Sequence, residues 1–500
     1  MAPFPQTDSP STAHRVLTRV LRGVTLLALG FVAIGVILHW DLQRGFTHTV
    51  GVFIVLAELL RDGVFYPASP SENLVYSAFY HPLAFAPLSL LPGSGLGMAP
   101  ALRMMVAGET LACLALTAWI LARSGRRGAL SWQPALWALC TFPLTFSLLG
   151  MRDDPRACLF SLLAIIAHLH GGKKAPFVSG GLLVLAFMTK ATAPLVPGIA
   201  LSITSYRRGG WSELRRFWVA CVAGVAGSIA FLQWGIGCDF LGNGLYYAVF
   251  NPAKEPRSWA VTFEMLGNDL TTAGDRALLV LLGVSSVLAL ARAVRRKFDL
   301  WDLLILFGWL KTILVYRSVG TELNHLLDVT LYACLHLGFR LGPVLNPAMA
   351  FPLLALMIGV GTPLQLLPDA TARRSTLRNG HIAQAAELLR KLPPAPTLCE
   401  EPLLAWTAGT RPLVTDPLLT FGTLARYPEI RNRWFGPSDQ PGALQRIILM
   451  RNPLPGAMPD PTAWYGPIHF DRQFLDEVRA KWRVMADTDG VTAMLRKNGQ

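Results

Sequence analysis

The chain is 500 residues long, 52% hydrophobic and only 15% charged, with a mean hydropathy of +0.41. A soluble domain carries nearer about a quarter charged residues, so this composition excludes an ordinary soluble enzyme. The net charge of +14 is spread in small clusters along the chain rather than gathered on one domain, which argues against nucleic-acid binding.

Apolar runs broken by short Arg/Lys segments fill residues 20–368, and the polar remainder, 369–500, has none. A spanning helix needs about 20 apolar residues. Clear candidates lie at 24–40, 99–122, 130–150, 216–234, 278–293 and 351–367; shorter or interrupted ones lie at 157–169, 177–188, 193–205, 300–315 and 323–339. The pattern predicts an α-helical polytopic membrane protein of about eleven spans. Residues 1–19 form an N-terminal tail, 20–368 the membrane part, and 369–500 a small soluble α/β domain.

The basic clusters Arg15/Arg19/Arg22, Arg123/Arg126/Arg127, Lys173/Lys174, Arg207/Arg208/Arg215/Arg216 and Arg292/Arg295/Arg296/Lys297 all fall on one side of these spans. The positive-inside rule makes that side cytoplasmic. No small-x-small cleavage site follows the first run, so it reads as an uncleaved span with a cytoplasmic N-terminus. The soluble domain is then extracytoplasmic, as expected of a protein of the cell (inner) membrane. The outer side also receives a large loop, 41–97, and the segments 151–156, 235–275 and 316–322.

Of seven cysteines, Cys113, Cys140, Cys158, Cys221 and Cys334 lie in spans as small packing residues. Cys238 and Cys399 fall on the outer side, where a disulfide is chemically allowed but their spacing does not call for one. There is no CxxC, HExxH, P-loop or GxSxG, and no internal repeat of the kind many transporters show. The sequence calls for no metal or cofactor.

Within the first outer loop, Val50, Phe53, Ile54, Ala57, Leu60 and Val64 fit one helical face, with Glu58 and Arg61 on the other. A charged helix too short to span predicts an interfacial helix. Tyr66, Tyr76 and Tyr80 follow, then His81-Pro82; tyrosines are also ordinary interface anchors. Arg152-Asp153-Asp154-Pro155-Arg156 starts a span. One Asp before Pro makes a good helix cap, but capping explains neither the second carboxylate nor Arg152, and ionisable groups at membrane depth are costly. Lys190, between two apolar stretches, is either a snorkelling residue or a phosphate-binding point charge. Tyr316-Arg317 leads into Glu322, Asn324, His325 and Asp328, which recur near helical spacing and suit either a site or a polar helix contact. Carboxylates (Asp41, Asp153, Asp154, Glu322) beside cations (Arg152, Lys190, Arg317) suit a lipid-linked phosphate next to a hydroxyl acceptor.

In the soluble domain, 375–392 reads as an amphipathic helix, Thr397–Cys399 and Arg446–Met450 as short strands, and 470–482 as a helix. Asp489-Gly490 marks a hairpin between 482–485 and 491–495.

These features resemble the GT-C glycosyltransferases that use polyprenyl-phosphate sugars, near the protein-mannosyltransferase and aminoarabinose-transferase group. The resemblance rests on Gly63–Tyr66 followed by Tyr80-His81-Pro82-Leu83, on Arg152-Asp153-Asp154, Thr189-Lys190-Ala191-Thr192 and Gly320 to His325, and on Cys399-Glu400-Glu401-Pro402 with Asp416-Pro417. It implies a GT-C-like fold and sugar transfer from a polyprenyl-phosphate-linked donor to a hydroxyl acceptor, a lipid, glycan or protein, with membrane lipid as a further partner and no nucleic acid. Asp154, Asp153 and Asp41 are then the candidate catalytic acids, and Arg152, Lys190, Arg317, Asn324, His325, Tyr66, Tyr80 and His81 the candidate substrate-binding residues. The chain departs from the family at one point. The expected acid falls near Thr49-Val50, where there is no carboxylate. A flippase of lipid-linked sugars or an inactive GT-C-like scaffold is the alternative reading.

The topology gives a direct expectation. A periplasm-active reporter fused after Pro368 should be active and a cytoplasm-active one silent; the reverse pattern would overturn the assigned sidedness.

Overall fold

The computed structural model describes residues 48–67, 75–76, 80–123, 151–246, 256–272, 276–318, 323–341, 386–392, 395–416, 420–450, 470, 472–487 and 491–497, with isolated positions in 16–23 and 134–147. The run at 24–40, Asp41, most of the run at 130–150, Glu322 and the run at 351–367 lie outside them.

Helix α1 (His48–Arg61) is followed by α2 (Ala99–Arg123), α3 (Asp154–His170), α4 (Ala175–Thr189), α5 (Leu195–Ala230), α6 (Trp259–Thr272), α7 (Arg276–Val294), α8 (Leu300–Tyr316) and α9 (Leu327–Leu341). By length and composition, Gly95–Arg123, Leu195–Gly235 and Ala277–Val294 are long and apolar enough to cross a membrane. The second of these is two helices in one. Gly209 and Gly210 leave helical geometry, Gly210 with a φ of +62°, a conformation glycine adopts at no steric cost. The break falls between the runs at 193–205 and 216–234 that read as separate spans.

At this break Arg208 donates to the His168 carbonyl (2.7 Å) and Arg207 to the Phe298 carbonyl (2.9 Å). Close by in sequence, Asp302 is fully buried and accepts from Arg292 Nε (3.0 Å), Arg340 (2.8 Å) and His336 Nε2 (3.0 Å). Asp299 and Asp302 also form a capping box at the start of α8. Arg292, from one of the recurrent basic clusters, is thus locked to the carboxylates at the start of α8. Between helices, small residues set the spacing. A Cβ on Gly180 would lie 2.7 Å from Ala220 Cβ, so α4 and α5 meet backbone to backbone.

The C-terminal segment carries a four-stranded sheet in the order β1-β2-β4-β3, built from Thr397–Cys399, Arg446–Met450, Trp482–Asp487 and Val491–Arg496 in chain order. β1 and β2 are parallel, while β4 pairs antiparallel with both β2 and β3. The strands on either side of the expected hairpin pair as β3 and β4, and Asp489-Gly490 itself lies outside the described residues. The helix expected over 470–482 spans Arg472–Lys481 and buries Phe474, Leu475 and Val478. Of the helix expected over 375–392, the described part, 386–391, is helical. Cys238 and Cys399 are both free.

The interfacial helix needs correcting. Every residue from Val50 to Leu59 is buried, and Glu58 with them at 5% exposure. The cause is the C-terminal segment, which packs on the helix from the side of Glu401–Ala405. Leu403, Leu404 and Ala405 of helix Pro402–Thr407 share one apolar core with Val50–Leu59, Val184 and Met188. A Cβ on Gly51 would lie only 1.9 Å from Glu401 Oε1, so the soluble domain presses against the first turn of α1. Glu58 is satisfied by the Gly95 amide (2.6 Å), and Arg61 by the carbonyls of Ser89 (2.8 Å) and Gly93 (2.6 Å). A second seam joins the outer loop to the soluble domain. Val75 bridges Val414 in parallel, with the Val75 amide donating to Leu413 (2.6 Å) and the Thr415 amide to Val75 (3.3 Å).

Leu404 is fully buried in this shared core. Leu404→Ala should cost about 2–5 kcal/mol, as large-to-small changes in packed cores do. Limited proteolysis and thermal unfolding in detergent should both show the loss; unchanged behaviour would mean that the seam does not couple the two parts.

Candidate active site

The site is assembled at the end of the bundle opposite the Asp302 cluster. Met151 is buried with a φ of +50°, a left-handed turn uncommon for a side chain of its size. It delivers Arg152, Asp153 and Asp154 to the start of α3. Asp153 occupies the N-cap position but makes no side-chain capping bond, so capping does not account for this pair of carboxylates. Asp154 meets Lys190 instead, with Nζ 2.5 Å from Oδ1 and side chains 18% and 6% exposed respectively. Lys190 follows the last residue of α4 in extended backbone. The pair therefore bridges the mouths of two helices, outside the spans themselves.

The second carboxylate is held differently. Burial first, and then the Asp154 charge, push the Asp153 carboxyl up to about 6, against the pull of Lys190 and Arg152. For Lys190, burial works against the ammonium, but the Asp154 and Asp153 carboxylates outweigh it and its pKa is raised. Arg152 donates to the Thr49 hydroxyl. Thr49 also hydrogen-bonds the Tyr80 hydroxyl, which lies in the fields of Asp416, Arg152 and Asp153. The first turn of α1, the start of α3 and the soluble domain thus converge on Tyr80.

His325 completes the cluster. The span read at 323–339 begins with a 3-10 turn, Leu323–Leu326, and α9 proper starts at Leu327. His325 therefore sits at the bundle mouth. Its Nδ1 is buried and has no hydrogen-bond partner among the described residues. Its backbone carbonyl accepts from Lys311 Nζ (3.1 Å), and Lys311 is itself clamped by both oxygens of Asp328 at 2.8 Å.

His81 stands beside the same turn of α4 as Lys190. Its Nδ1 lies 2.6 Å from the Phe187 carbonyl and its ring packs edge-on against Phe187. Burial pushes the imidazole down to about 4, so it is neutral, donates from Nδ1 and keeps Nε2 unpartnered among the described residues.

The structure thus brings together Arg152, Asp153, Asp154, Lys190, His325, Tyr80 and His81. Arg317 lies apart from this cluster's contacts, and Tyr66 touches it only through the Tyr80 backbone. Arg317 stacks over Trp259, 4.3 Å from the ring centre, and exchanges backbone contacts with Arg257. Tyr66 is fully buried among Tyr76, Phe85 and Phe240, and its hydroxyl donates to the Tyr80 carbonyl (2.5 Å), which makes it a brace beneath Tyr80. Asp41 falls outside the described residues, and the Asn324 side chain is likewise not described. Thr49 and Lys311 were not foreseen. Lys311 reads as one lysine in an apolar run, and only its i+17 relation to Asp328 across a helical hairpin could have flagged it. Arg156 also turns out to be structural. It pairs with Glu109 (2.6 Å) and donates to the Ala84 carbonyl (3.2 Å), tying α3 to α2 and to the segment after His81. Among the described residues, no group of three or more His, Cys, Asp or Glu is placed to hold a metal ion.

No known family's sequence profile matches the chain, and no curated protein does. Its fold does match a solved structure. The crystal structure of ArnT from Cupriavidus metallidurans bound to undecaprenyl phosphate superposes with a TM-score of 0.60, covering 95% of this chain and 99% of that one at 12% sequence identity. The chain therefore shares the fold of that ArnT structure, and among its described residues three helices are long and apolar enough to cross a membrane.

Proposed function

We propose that the chain is a membrane glycosyltransferase that moves a sugar from a polyprenyl-phosphate-linked donor to a hydroxyl acceptor on the outer face of the cell (inner) membrane. The observation that carries this reading is the Lys190–Asp154 pair, flanked by Arg152 and Asp153, at the mouth of an ArnT-like bundle. The likeness supports a polyprenyl-phosphate donor because the ArnT structure holds undecaprenyl phosphate.

The chemistry is one displacement at the anomeric carbon. The acceptor oxygen attacks, the carbon–oxygen bond to phosphate breaks, and polyprenyl phosphate leaves with the bonding pair. Lys190 and Arg152 stabilise the charge that grows on the departing phosphate. A base takes the acceptor proton, and Asp154 and Asp153 are the candidates the sequence puts forward, with Asp41 behind them. Lys190 supplies a point charge that can shift from Asp154 to a phosphate oxygen. The alternative, a flippase or inactive scaffold, draws its support from the missing carboxylate at Thr49-Val50.

Lys190→Ala removes the phosphate cation but also leaves Asp154 buried without its lysine, which by itself destabilises by roughly 3–5 kcal/mol. Lys190→Ala/Asp154→Asn removes the stray charge and should recover much of that stability. Both variants should bind undecaprenyl phosphate at least about tenfold more weakly, about 1.4 kcal/mol, and transfer sugar correspondingly slowly. Unaltered binding in the double variant would reduce Lys190 to a structural partner of Asp154. A purified, folded protein that turns over no polyprenyl-phosphate sugar would favour the flippase or scaffold.

A further inference from the structure

The end of the bundle opposite the Lys190 cluster carries a feature that the transfer chemistry leaves unused. Helix α4 starts there beside Lys174 and finishes at Lys190, 15 residues on, which is about 22 Å of helix. Three turns far apart in sequence meet at this end. Arg208 reaches the His168 carbonyl (2.7 Å) and the Thr204 hydroxyl lies 3.1 Å from His168 Nε2, which joins the α3–α4 turn to the break in α5. Arg207 donates to the Phe298 carbonyl (2.9 Å) and lies over the Phe298 ring at 4.2 Å, which joins the break to the α7–α8 turn. The end of α2 extends the row, with Trp119 edge-on to His170 at 5.5 Å and Arg123 over the Trp119 ring at 5.4 Å.

Each turn brings cations that these contacts do not use. Lys173 and Lys174 fill the turn before α4, Arg215 and Arg216 follow the break in α5, and Arg295 and Arg296 follow α7; all are exposed. The carboxylates of the same turns are taken, Glu213 by Arg208, and Asp299 and Asp302 by Arg292 and Arg340. Among the described residues, none is left to pair with these cations. Like charges gathered on one surface repel one another unless anions stand between them.

The surroundings say where the anions come from. Trp211 is 74% exposed directly after the break and Tyr206 56% exposed just before it, their rings edge-on at 6.3 Å. Beyond Arg216 the same helix turns Trp218, Val219 and Val222 outward, within the stretch long and apolar enough to cross a membrane. Cations and amphipathic aromatic rings at the root of such a stretch lie at headgroup depth.

We infer that this end of the bundle is a binding surface for anionic phospholipid headgroups, in the leaflet opposite the Lys190 cluster. The inference is independent of the glycosyltransferase reading. Lipid phosphates lie between the cations of the three turns and offset their repulsion. A soluble polyanion meets the same charges but leaves Trp211 and Tyr206 in water, so a lipid surface fits the whole patch and a soluble partner only its charge.

Trp211 reports on this surface. The protein is reconstituted in nanodiscs holding brominated phosphatidylglycerol or, separately, brominated phosphatidylcholine. The Trp211 signal is the difference between unaltered protein and Trp211→Phe. At equal mole fraction phosphatidylglycerol should quench it at least about twofold more strongly, and the preference should fall away at high salt. In Lys173→Gln/Lys174→Gln/Arg215→Gln/Arg216→Gln the preference should be lost while both lipids still quench. Where that variant does not fold, Lys173→Gln/Lys174→Gln carries the test and should weaken the preference. Equal quenching by the two lipids in the unaltered protein, or a preference unchanged in the folded variant, overturns the proposal. Quenching by neither lipid places the patch in water and overturns it in favour of a soluble polyanion.

Discussion

The site depends on one ion pair held where water is scarce. Lys190 and Asp154 approach to 2.5 Å with most of both side chains withdrawn from solvent. Each charge alone would face a desolvation penalty of several kcal/mol, and together they largely offset it. That mutual need pins the loop after α4 to the start of α3. It also fixes the neighbours, because Asp153 and Arg152 precede Asp154 directly and cannot move without it. Arg152 reaches the Thr49 hydroxyl from there, which links the pair to the first turn of α1. A phosphate that enters this cluster meets cations already held in place.

The second constraint is the roof. From Val50 to Leu59, α1 has no exposed residue, because the C-terminal segment lays Leu403, Leu404 and Ala405 on one side of it and the bundle contributes Val184 and Met188 to the same core. Glu401 sits against Gly51 at the start of α1, and Val414 pairs with Val75, so Asp416 comes to lie beside Tyr80. The C-terminal segment therefore forms part of the wall around the cluster.

What could be read in advance follows from how costly each feature is in isolation. Arg152-Asp153-Asp154 and Lys190 stood out because charge among apolar runs demands a partner or a task, and the structure supplies both ends of that demand. The β3–β4 hairpin was legible from Asp489-Gly490, a local signal. The burial of α1 was not legible. Its pattern shows that one face is apolar, but no pattern states what covers the other. Glu58 looked exposed because its partner, the Gly95 amide, belongs to a later turn. Lys311 passed unnoticed because its partner Asp328 lies seventeen residues on and had been grouped with His325 on spacing alone. Arg317 was grouped with Lys190 by side of the membrane, whereas Trp259, its actual partner, comes from another part of the chain.

The absent acid at Thr49-Val50 then takes on a physical meaning. Thr49 already receives the Arg152 guanidinium and hydrogen-bonds the Tyr80 hydroxyl. A carboxylate there would pair with Arg152 and compete with any phosphate for it. A hydroxyl in that place leaves the cluster with one negative charge fewer, and Thr49 joins the start of α3 to Tyr80 through hydrogen bonds instead of an ion pair.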